Sequence, residues 1–325
     1  MDVSIIIVNY KTPKLVLDCI TSIFQHTNGI EFEIIVVDNQ SEDQTQQLLE
    51  AQFPSVIWHQ MGYNSGFARA NNTGMRLAKG ACFLLLNSDT ILINNVVKTC
   101  YEQLKSRPDA VAGGAIQLFP DLSPRPFYNT FTFERPFWIM PPGKYFERMI
   151  EKLIPQKLYD DPQQVDYIAA AFLMVKRLAV ESVGMLDEQF FLYGEDTEWG
   201  WRLGKIGKNL IFENCNFIHL EWGSKPERYN DINSLTYFNR FHHQIQLSNI
   251  VWLRKSYGVP RFLVLMLHYW LWVPVFYCMK LVSNVIHLKN PFDNLENQHK
   301  FRKMIGVFSK HFWLILFKKP HFYKL

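Results

Sequence analysis

Four places in this 325-residue chain carry side chains able to do chemistry, and each stands where an apolar run stops or a helix begins. They are Asp38, the Asn87-Ser88-Asp89 triplet, Glu195-Asp196 and His219. Carboxylates and imidazoles are the groups from which proteins build general acids and bases and hold divalent cations. In the string FLLLNSDT, Phe83 to Thr90, residues i and i+2 of an extended segment point the same way, so Asn87 and Asp89 face one spot. Ligands of an open parallel sheet bind outside the carboxyl ends of its strands. An acid at that point suits a metal, a ribose or a phosphate-bound cation. Each group also has a plainer reading. Asp38 can cap a turn, Glu195-Asp196 can complement a helix dipole, and His219 can be a satisfied core histidine.

Holding these groups in place calls for alternating strands and helices. Val3 to Val8 is a β-branched run of buried-strand type that ends in Asn9-Tyr10. Thr12-Pro13 reads as a helix cap followed by proline at the first helical position. Leu15, Val16, Cys19, Ile20, Ile23 and Phe24 then recur at helical spacing. Glu33 to Val37 predicts a second strand and the segment through Leu48-Leu49 a second helix. This alternation implies a parallel sheet with right-handed crossovers.

Val56 to His59 predicts a short strand, and Gly62-Tyr63-Asn64-Ser65-Gly66 leads into a helix from about Phe67 to Lys79, with Gly80 as a left-handed terminator. Ala68, Asn71, Met75 and Ala78 share its inner face. A buried Asn71 amide there needs backbone or ligand partners. Further on, the pattern predicts a helix over Asn94 to Lys105, a strand near Ala110 to Ala112 and an irregular excursion over Pro120 to Pro142. An apolar run over Asp166 to Val175 contains Ala169-Ala170-Ala171, and Lys176 to Val183 suits a short helix. The helix after Asp196 puts Trp199, Leu203 and Ile206 on one face and closes at Gly207. Ile211-Phe212 and Phe217-Ile218 flank a turn.

Charged residues at 20% and hydrophobic residues at 48% fit a folded protein with a sizeable core and argue against disorder. A net charge of +4 is too mild to point to nucleic acid. Five scattered cysteines, Cys19, Cys82, Cys100, Cys215 and Cys278, lack metal-ligand spacing and read as reduced thiols of a cytosolic compartment. The chain opens on a strand, without a basic-apolar-small leader pattern. From about Asp231 aromatic and basic residues mix. Phe262 to Met279 is nearly all apolar, broken by His268 and Pro274, which is borderline for a spanning helix. Phe312 to Phe317 lies beside Lys310, Lys318 and Lys319. That mixture suits a helix in the interface of an anionic membrane, or a helical lid on the sheet.

The strings VSIIIVNYKT, IIVVDNQSED, NSGFARANNTG, LLLNSDT, LDEQFFLYGEDTEWGWRL and HLEWGS, in this order over residues 3 to 224, resemble glycosyltransferase family 2. Within that family of inverting nucleotide-sugar enzymes they are similar to the rhamnosyltransferase and galactofuranosyltransferase-like branch. The resemblance implies a GT-A fold, a Rossmann-like, mostly parallel α/β sheet flanked by helices. It also implies a catalytic domain over 1–230, with a nucleotide-binding half about 1–115 and an acceptor-binding half about 116–230. Residues 231–325 form a helical, membrane-associating region on this reading.

Position by position, Asp38 resembles the acid that meets the base or ribose, with Asn9 and Tyr10 lining the same pocket. Asn64, Gly66 and Asn71 match the donor cradle, alongside Asn87 and Asp89. Asp89 resembles the metal-binding acid and His219 a late histidine that reaches the same metal, with Mn2+ or Mg2+ favoured by oxygen-rich ligands. Asn87 stands at the first position of the family's Asp-x-Asp and leaves fewer charges on that metal. Asp196 is expected to be the base that deprotonates the acceptor hydroxyl, with Glu195 its rival, and a helix N-terminus should keep it ionised. Ala170, Tyr193 and Trp199 are candidate acceptor contacts, although the aromatics of this string, Phe190, Phe191 and Trp201 included, equally suit a core.

The implied partners are a nucleotide-sugar donor, dTDP-rhamnose before a UDP-hexose, a glycan or lipid-linked acceptor, and a membrane surface, with no nucleic acid and no indication of oligomeric state. The implied place is the cytoplasmic face of the cell membrane, peripheral or monotopic, with a single span as the alternative. A catalytically silent sugar-nucleotide binder or scaffold of the same fold is the rival reading, supported by Asn87. A dinucleotide oxidoreductase lacks its G-x-G-x-x-G turn after the first strand.

Overall fold

The computed structural model describes residues 1–125, 159–220 and 240–325. They fall in two units, one of residues 1–125, 159–191 and 195–220, the other of 192–194 and 240–325. The first unit holds the strands β1 (Val3–Asn9), β2 (Phe32–Asp38), β3 (Ile57–Gln60), β4 (Cys82–Asn87), β5 (Thr90–Ile91), β6 (Ala110–Leu118), β7 (Gln164–Val165), β8 (Phe172–Lys176) and β9 (Lys208–His219). Its helices are α1 (Pro13–His26), α2 (Thr45–Gln52), α3 (Gly66–Leu77), α4 (Val96–Ser106), α5 (Arg177–Val183) and α6 (Glu195–Leu203).

Among the described residues the strands form one sheet in the order β3-β2-β1-β4-β8-β6-β9-β5, with β7 paired to β9. The expected parallel sheet is confined to β3-β2-β1-β4 and the β6–β9 pair. β8 runs antiparallel to both β4 and β6, and β5 and β7 run antiparallel to β9. The apolar runs of β1 and β4 are continuous because both faces are covered. Ile5, Ile7, Leu84 and Leu86 pack with Val16, Ile20, Val97 and Leu104 on one side. Ile6, Phe83 and Leu85 pack with Ala68, Met75, Trp199 and Leu203 on the other.

Several local expectations change. Thr12 precedes α1, but its hydroxyl makes no cap and instead donates to Asn9 Oδ1 at 2.9 Å. Gly80 is not left-handed; it lies against β1, where a Cβ would stand 2.5 Å from the Ser4 nitrogen. The turn expected between Ile211 and Ile218 is a bulge inside one 12-residue strand, because the register with β6 jumps from Ala115–Phe212 to Ile116–Asn216. α6 ends at Leu203, and Ile206 is 45% exposed rather than on its inner face. Residues 126–142 of the irregular excursion, the segment 221–224 and the boundary at 230/231 lie outside the described residues.

The second unit is built on α7 (Arg240–Ile286), broken at Gly258 with φ 84°, and α8 (Glu296–Leu316). The two pack antiparallel, Phe262 against Phe312, Tyr269 against Phe308 and Phe276 against Phe301. Arg254 donates Nε and Nη2 to the Leu316 carbonyl at the end of α8.

The packing of Gly80 gives a direct test. Gly80→Ala forces β1 and the α3–β4 connection apart, and we expect a loss of about 1–3 kcal/mol in urea unfolding.

Candidate active site

In the parallel register Asn9 lies beside Asp38 and Val8 beside Asn87, so the ends of β1, β2 and β4 form one edge. Asp38 is 1% exposed and accepts four hydrogen bonds. Oδ1 takes Asn9 Nδ2 at 2.8 Å and Ser41 Oγ at 2.5 Å; Oδ2 takes the Ser41 N–H at 2.8 Å and Gln60 Nε2 at 3.0 Å. An ionised carboxylate has about four acceptor sites. A ligand bond to Asp38 therefore has to displace one of these. Asn9 is fully buried as the support of Asp38, while Tyr10 is exposed. Lys11, Gln40 and Glu42 hold positive φ of 57°, 64° and 56° on the same edge, and such outliers concentrate where function demands a loop shape.

The segment before α3 is clasped by residues that sequence reasoning did not single out. Asn39 Oδ1 accepts the Ser65 N–H and hydroxyl, and its Nδ2 donates to Gly66 O at 3.0 Å. Asn64 Oδ1 accepts the Gly66 N–H at 3.2 Å. Gly66 has φ 78°, and a Cβ there would meet the Phe191 carbonyl at 2.3 Å. Asn71 is buried and donates to Phe67 O within its own helix, the backbone solution rather than the ligand one. The next residue, Asn72, ties α3 to the loop before α6, through Leu186 O and N and Glu188 Oε1. The only sequence signal for Asn39 and Asn72 is their place beside singled-out residues.

Asp89 leaves β4 just before β5, and β5 pairs Thr90 with His219 of β9. That pairing sets His219 Nε2 3.1 Å from Asp89 Oδ1 and 3.4 Å from Asn87 Nδ2. On the far side of the ring, Nδ1 stands 3.0 Å from Oε1 of buried Gln117. A carboxamide oxygen only accepts, so Nδ1 is the ring atom that donates to Gln117, and this bond turns Nε2 toward the Asp89 carboxylate. A carboxylate oxygen and an imidazole nitrogen are both ligand types for a divalent cation, and here they stand side by side. Gln117 plays the orienting part usual behind a metal-bound histidine. Among the described residues no third His, Cys, Asp or Glu joins the pair. A substrate diphosphate is the usual source of further oxygens at such a site.

At the start of α6, Asp196 Oδ1 accepts the Thr197 N–H at 2.8 Å and its Oδ2 accepts the Ala170 N–H at 3.3 Å. Ala171 O in turn accepts the Asn87 N–H at 3.1 Å, so the Ala170-Ala171 backbone links Asp196 to the end of β4. Buried Ala170 thus positions Asp196 through its main chain. Trp199 is fully buried with Nε1 on Gly184 O, which removes its ring from any acceptor surface. Arg202 fixes the same helix, pairing with Glu198 and donating to Val183, Gly184 and Met185 carbonyls. Tyr193 is half-buried with φ 66°.

The sequence expectation that the helix N-terminus favours the ionised form of Asp196 meets an opposing effect, since both acids at this helix end are shifted upward. Burial raises the Asp196 carboxyl above its ordinary range, and the N–H groups of Thr197 and Ala170 pull it back. Glu195 is 4% exposed, and burial followed by the neighbouring Asp196 charge raises its carboxyl well above the usual range. Its Oε2 is buried and has no hydrogen-bond partner among the described residues. The two adjacent acids are therefore unequal: Glu195 faces the interior and Asp196 keeps the hydrogen bonds that stabilise an anion.

A profile of glycosyl transferase family 2 matches residues 4–167. Glycosyltransferase GlyG of Streptococcus pneumoniae serotype 4 is 32% identical over 223 residues, covering 66% of this chain and 68% of that protein. N-acetylglucosaminyl-diphospho-decaprenol L-rhamnosyltransferase of Mycobacterium tuberculosis is 27% identical over 194 residues, 54% of this chain and 61% of that protein. Mannosyltransferase PcManGT from Pyrobaculum calidifontis, solved with GDP-Man and Mn2+, aligns with a TM-score of 0.54 over 98% of this chain and 87% of that one. At 14% identity that likeness is one of fold.

The raised Glu195 carboxyl makes stability depend on pH. Above the unfolded value near 4.5 the unfolded chain releases this proton while the folded chain still holds it, so stability falls as pH rises through that window. Glu195→Gln removes the titration. Its Tm relative to the wild type should rise between about pH 4.5 and neutrality and show no such trend below, measured by thermal unfolding at stepped pH.

Proposed function

The chain belongs to glycosyl transferase family 2 and is a glycosyltransferase, and from that premise we propose that it inverts the sugar it transfers, with Asp196 as base and Asp89 and His219 as metal ligands. The observation that carries this reading is the facing pair of Asp89 Oδ1 and His219 Nε2, 3.1 Å apart, on the sheet edge to which Ala170-Ala171 ties Asp196. Asp89 and His219 would hold Mn2+ or Mg2+, which when bound offsets the negative charge gathering on the leaving diphosphate. Asp196 accepts the proton of the acceptor hydroxyl as its oxygen bonds to the anomeric carbon, while the bond from that carbon to the nucleoside diphosphate breaks. One displacement from the opposite face inverts the centre. Thr197 and Ala170 hold the Asp196 carboxylate in place, and burial beside that charge disfavours ionisation of Glu195.

Asn9, Asp38, Asn64, Gly66 and Asn87 form the donor side of this reading, with Asn71 and Asn72 holding the helix behind it. Asn87 supports the silent-binder alternative because it stands where the family's first acid would add charge to the metal; its Nδ2 lies 3.4 Å from His219 Nε2. The preferred donor is dTDP-rhamnose, supported by similarity to the mycobacterial rhamnosyltransferase, and the preferred acceptor is a lipid-linked or polysaccharide glycan. The same reading assigns 1–230 to catalysis and 231–325 to attachment at the cytoplasmic face of the membrane.

Asp196→Asn should lower transfer by about 100-fold or more while donor affinity changes little, because the base acts on the acceptor. Near-normal turnover in that variant would exclude Asp196. Asp89→Ala should abolish the manganese dependence of nucleotide-sugar binding in a thermal-shift screen, and equal donor affinity with and without manganese in the wild type would remove the metal site. Gln117→Leu frees the His219 ring and should weaken Mn2+ binding by about 10–100-fold, read by titration calorimetry.

A further inference from the structure

The arm of α7 after Gly258 presents Val264, Leu267, Leu271, Val275, Val282 and Val285 on one stripe, each 41–59% exposed. These positions recur at three, four or seven residues and cover about 30 Å of helix. The arm is long and apolar enough to cross a membrane. Its other side is occupied where Phe262, Tyr269 and Phe276 pack on Phe312, Phe308 and Phe301 of α8.

α8 decides between crossing and lying flat. Its outward positions include Arg302, Lys303 and Lys310, with Lys300 paired to Glu296 at 3.9 Å, so four cations stand on this helix against one acid. Lys310 lies within a turn of the Phe308 and Phe312 contacts, and Arg302 and Lys303 adjoin Phe301. A bilayer crossed by α7 would be crossed by α8 too, with these charges along the hydrocarbon, where each is costly. In the plane of one leaflet the apolar stripe enters the acyl region and the cations meet lipid phosphates, reaching them along their own methylene stems. Trp313 and Phe317, stacked at 5.8 Å and each 62% exposed, continue the hairpin as interfacial aromatics.

We infer that α7 after Gly258 and α8 form an in-plane anchor that docks on the surface of an anionic phospholipid bilayer and does not cross it. This deepens the membrane part of the proposed function and is independent of the transfer chemistry, so its failure would leave the reading of Asp196 and Asp89 intact.

The test uses the full chain and preformed vesicles of phosphatidylcholine, with and without roughly one third phosphatidylglycerol. Flotation should show binding to the anionic vesicles at least about tenfold tighter than to neutral ones, lost at high salt for the most part. Leu267→Glu with Leu271→Glu, both at exposed positions, should abolish binding while thermal unfolding and soluble-acceptor activity stay unchanged. Arg302→Glu with Lys303→Glu should erase the preference for anionic vesicles. For topology, Leu288→Cys in a Cys278→Ser background puts a thiol in the hairpin turn, where Leu288 is 96% exposed. An impermeant maleimide added outside should label it on vesicle-bound protein. Labelling only after detergent would establish a crossing helix and overturn the inference. So would equal binding to both vesicle types, or binding to neither together with self-association that Leu267→Glu disrupts, which would make a second copy the occupant of the stripe.

Discussion

Two rungs of antiparallel ladder, Thr90 with His219 and Ile91 with Ile218, set a carboxylate against an imidazole 130 residues away in sequence. The meeting of Asp89 with His219 depends on that short pairing. β5 is only two residues long and follows directly from the loop that carries Asp89, so the acid has little freedom to move away from His219. β9 reaches the pairing only because its bulge lets the strand keep to β6 at both ends while three extra residues, 213–215, leave the ladder. Gln117, at the β6 end of the same arrangement, then fixes which ring nitrogen points outward.

The parts legible from sequence are the local ones. Apolar runs ending in polar residues locate the exits of β1, β2 and β4, and those exits hold Asn9, Asp38 and Asn87 as expected. The inner face of α3 likewise follows from spacing, with Ala68, Asn71, Met75 and Ala78 all buried. What escapes is whatever depends on two distant segments meeting. The Phe212 to Phe217 stretch reads as a turn because a bulge and a turn share the same local polarity, and only β6 distinguishes them. Gly80 reads as a helix terminator, but its requirement is the nearby backbone of Ser4. Asn39 and Asn72 lie inside the strings IIVVDNQSED and NSGFARANNTG and Gln117 in none, and each matters through a partner that the sequence does not place.

Burial at the start of α6 illustrates how neighbouring identical charges acquire different duties. Two carboxylates side by side in a sparsely solvated place cannot both be ionised cheaply. The structure gives Asp196 the main-chain N–H groups of Thr197 and Ala170, one on each oxygen, whereas among the described residues Glu195 Oε2 has no hydrogen-bond partner. The field of the helix end acts on both, so it cannot discriminate between them; the donors can. Spacing alone leaves the choice between Glu195 and Asp196 open, because hydrogen-bond donors from the Ala170 segment are visible only once β8 is laid beside β4.

The same reasoning separates the two units. In the sheet, long apolar runs are buried because helices cover both faces, and exposed hydrophobic side chains are scattered. In the α7–α8 hairpin an equally apolar run is covered on one side only, and the other side stays open over several turns. Hydropathy along the chain registers both runs alike, since it averages over a helix and loses the difference between faces. Pairing with a basic helix is what changes the meaning of the second run. An apolar helix alone is free to cross a bilayer, but one packed against a helix that carries Arg302, Lys303 and Lys310 carries their solvation requirement with it, and a single leaflet surface satisfies both helices at once.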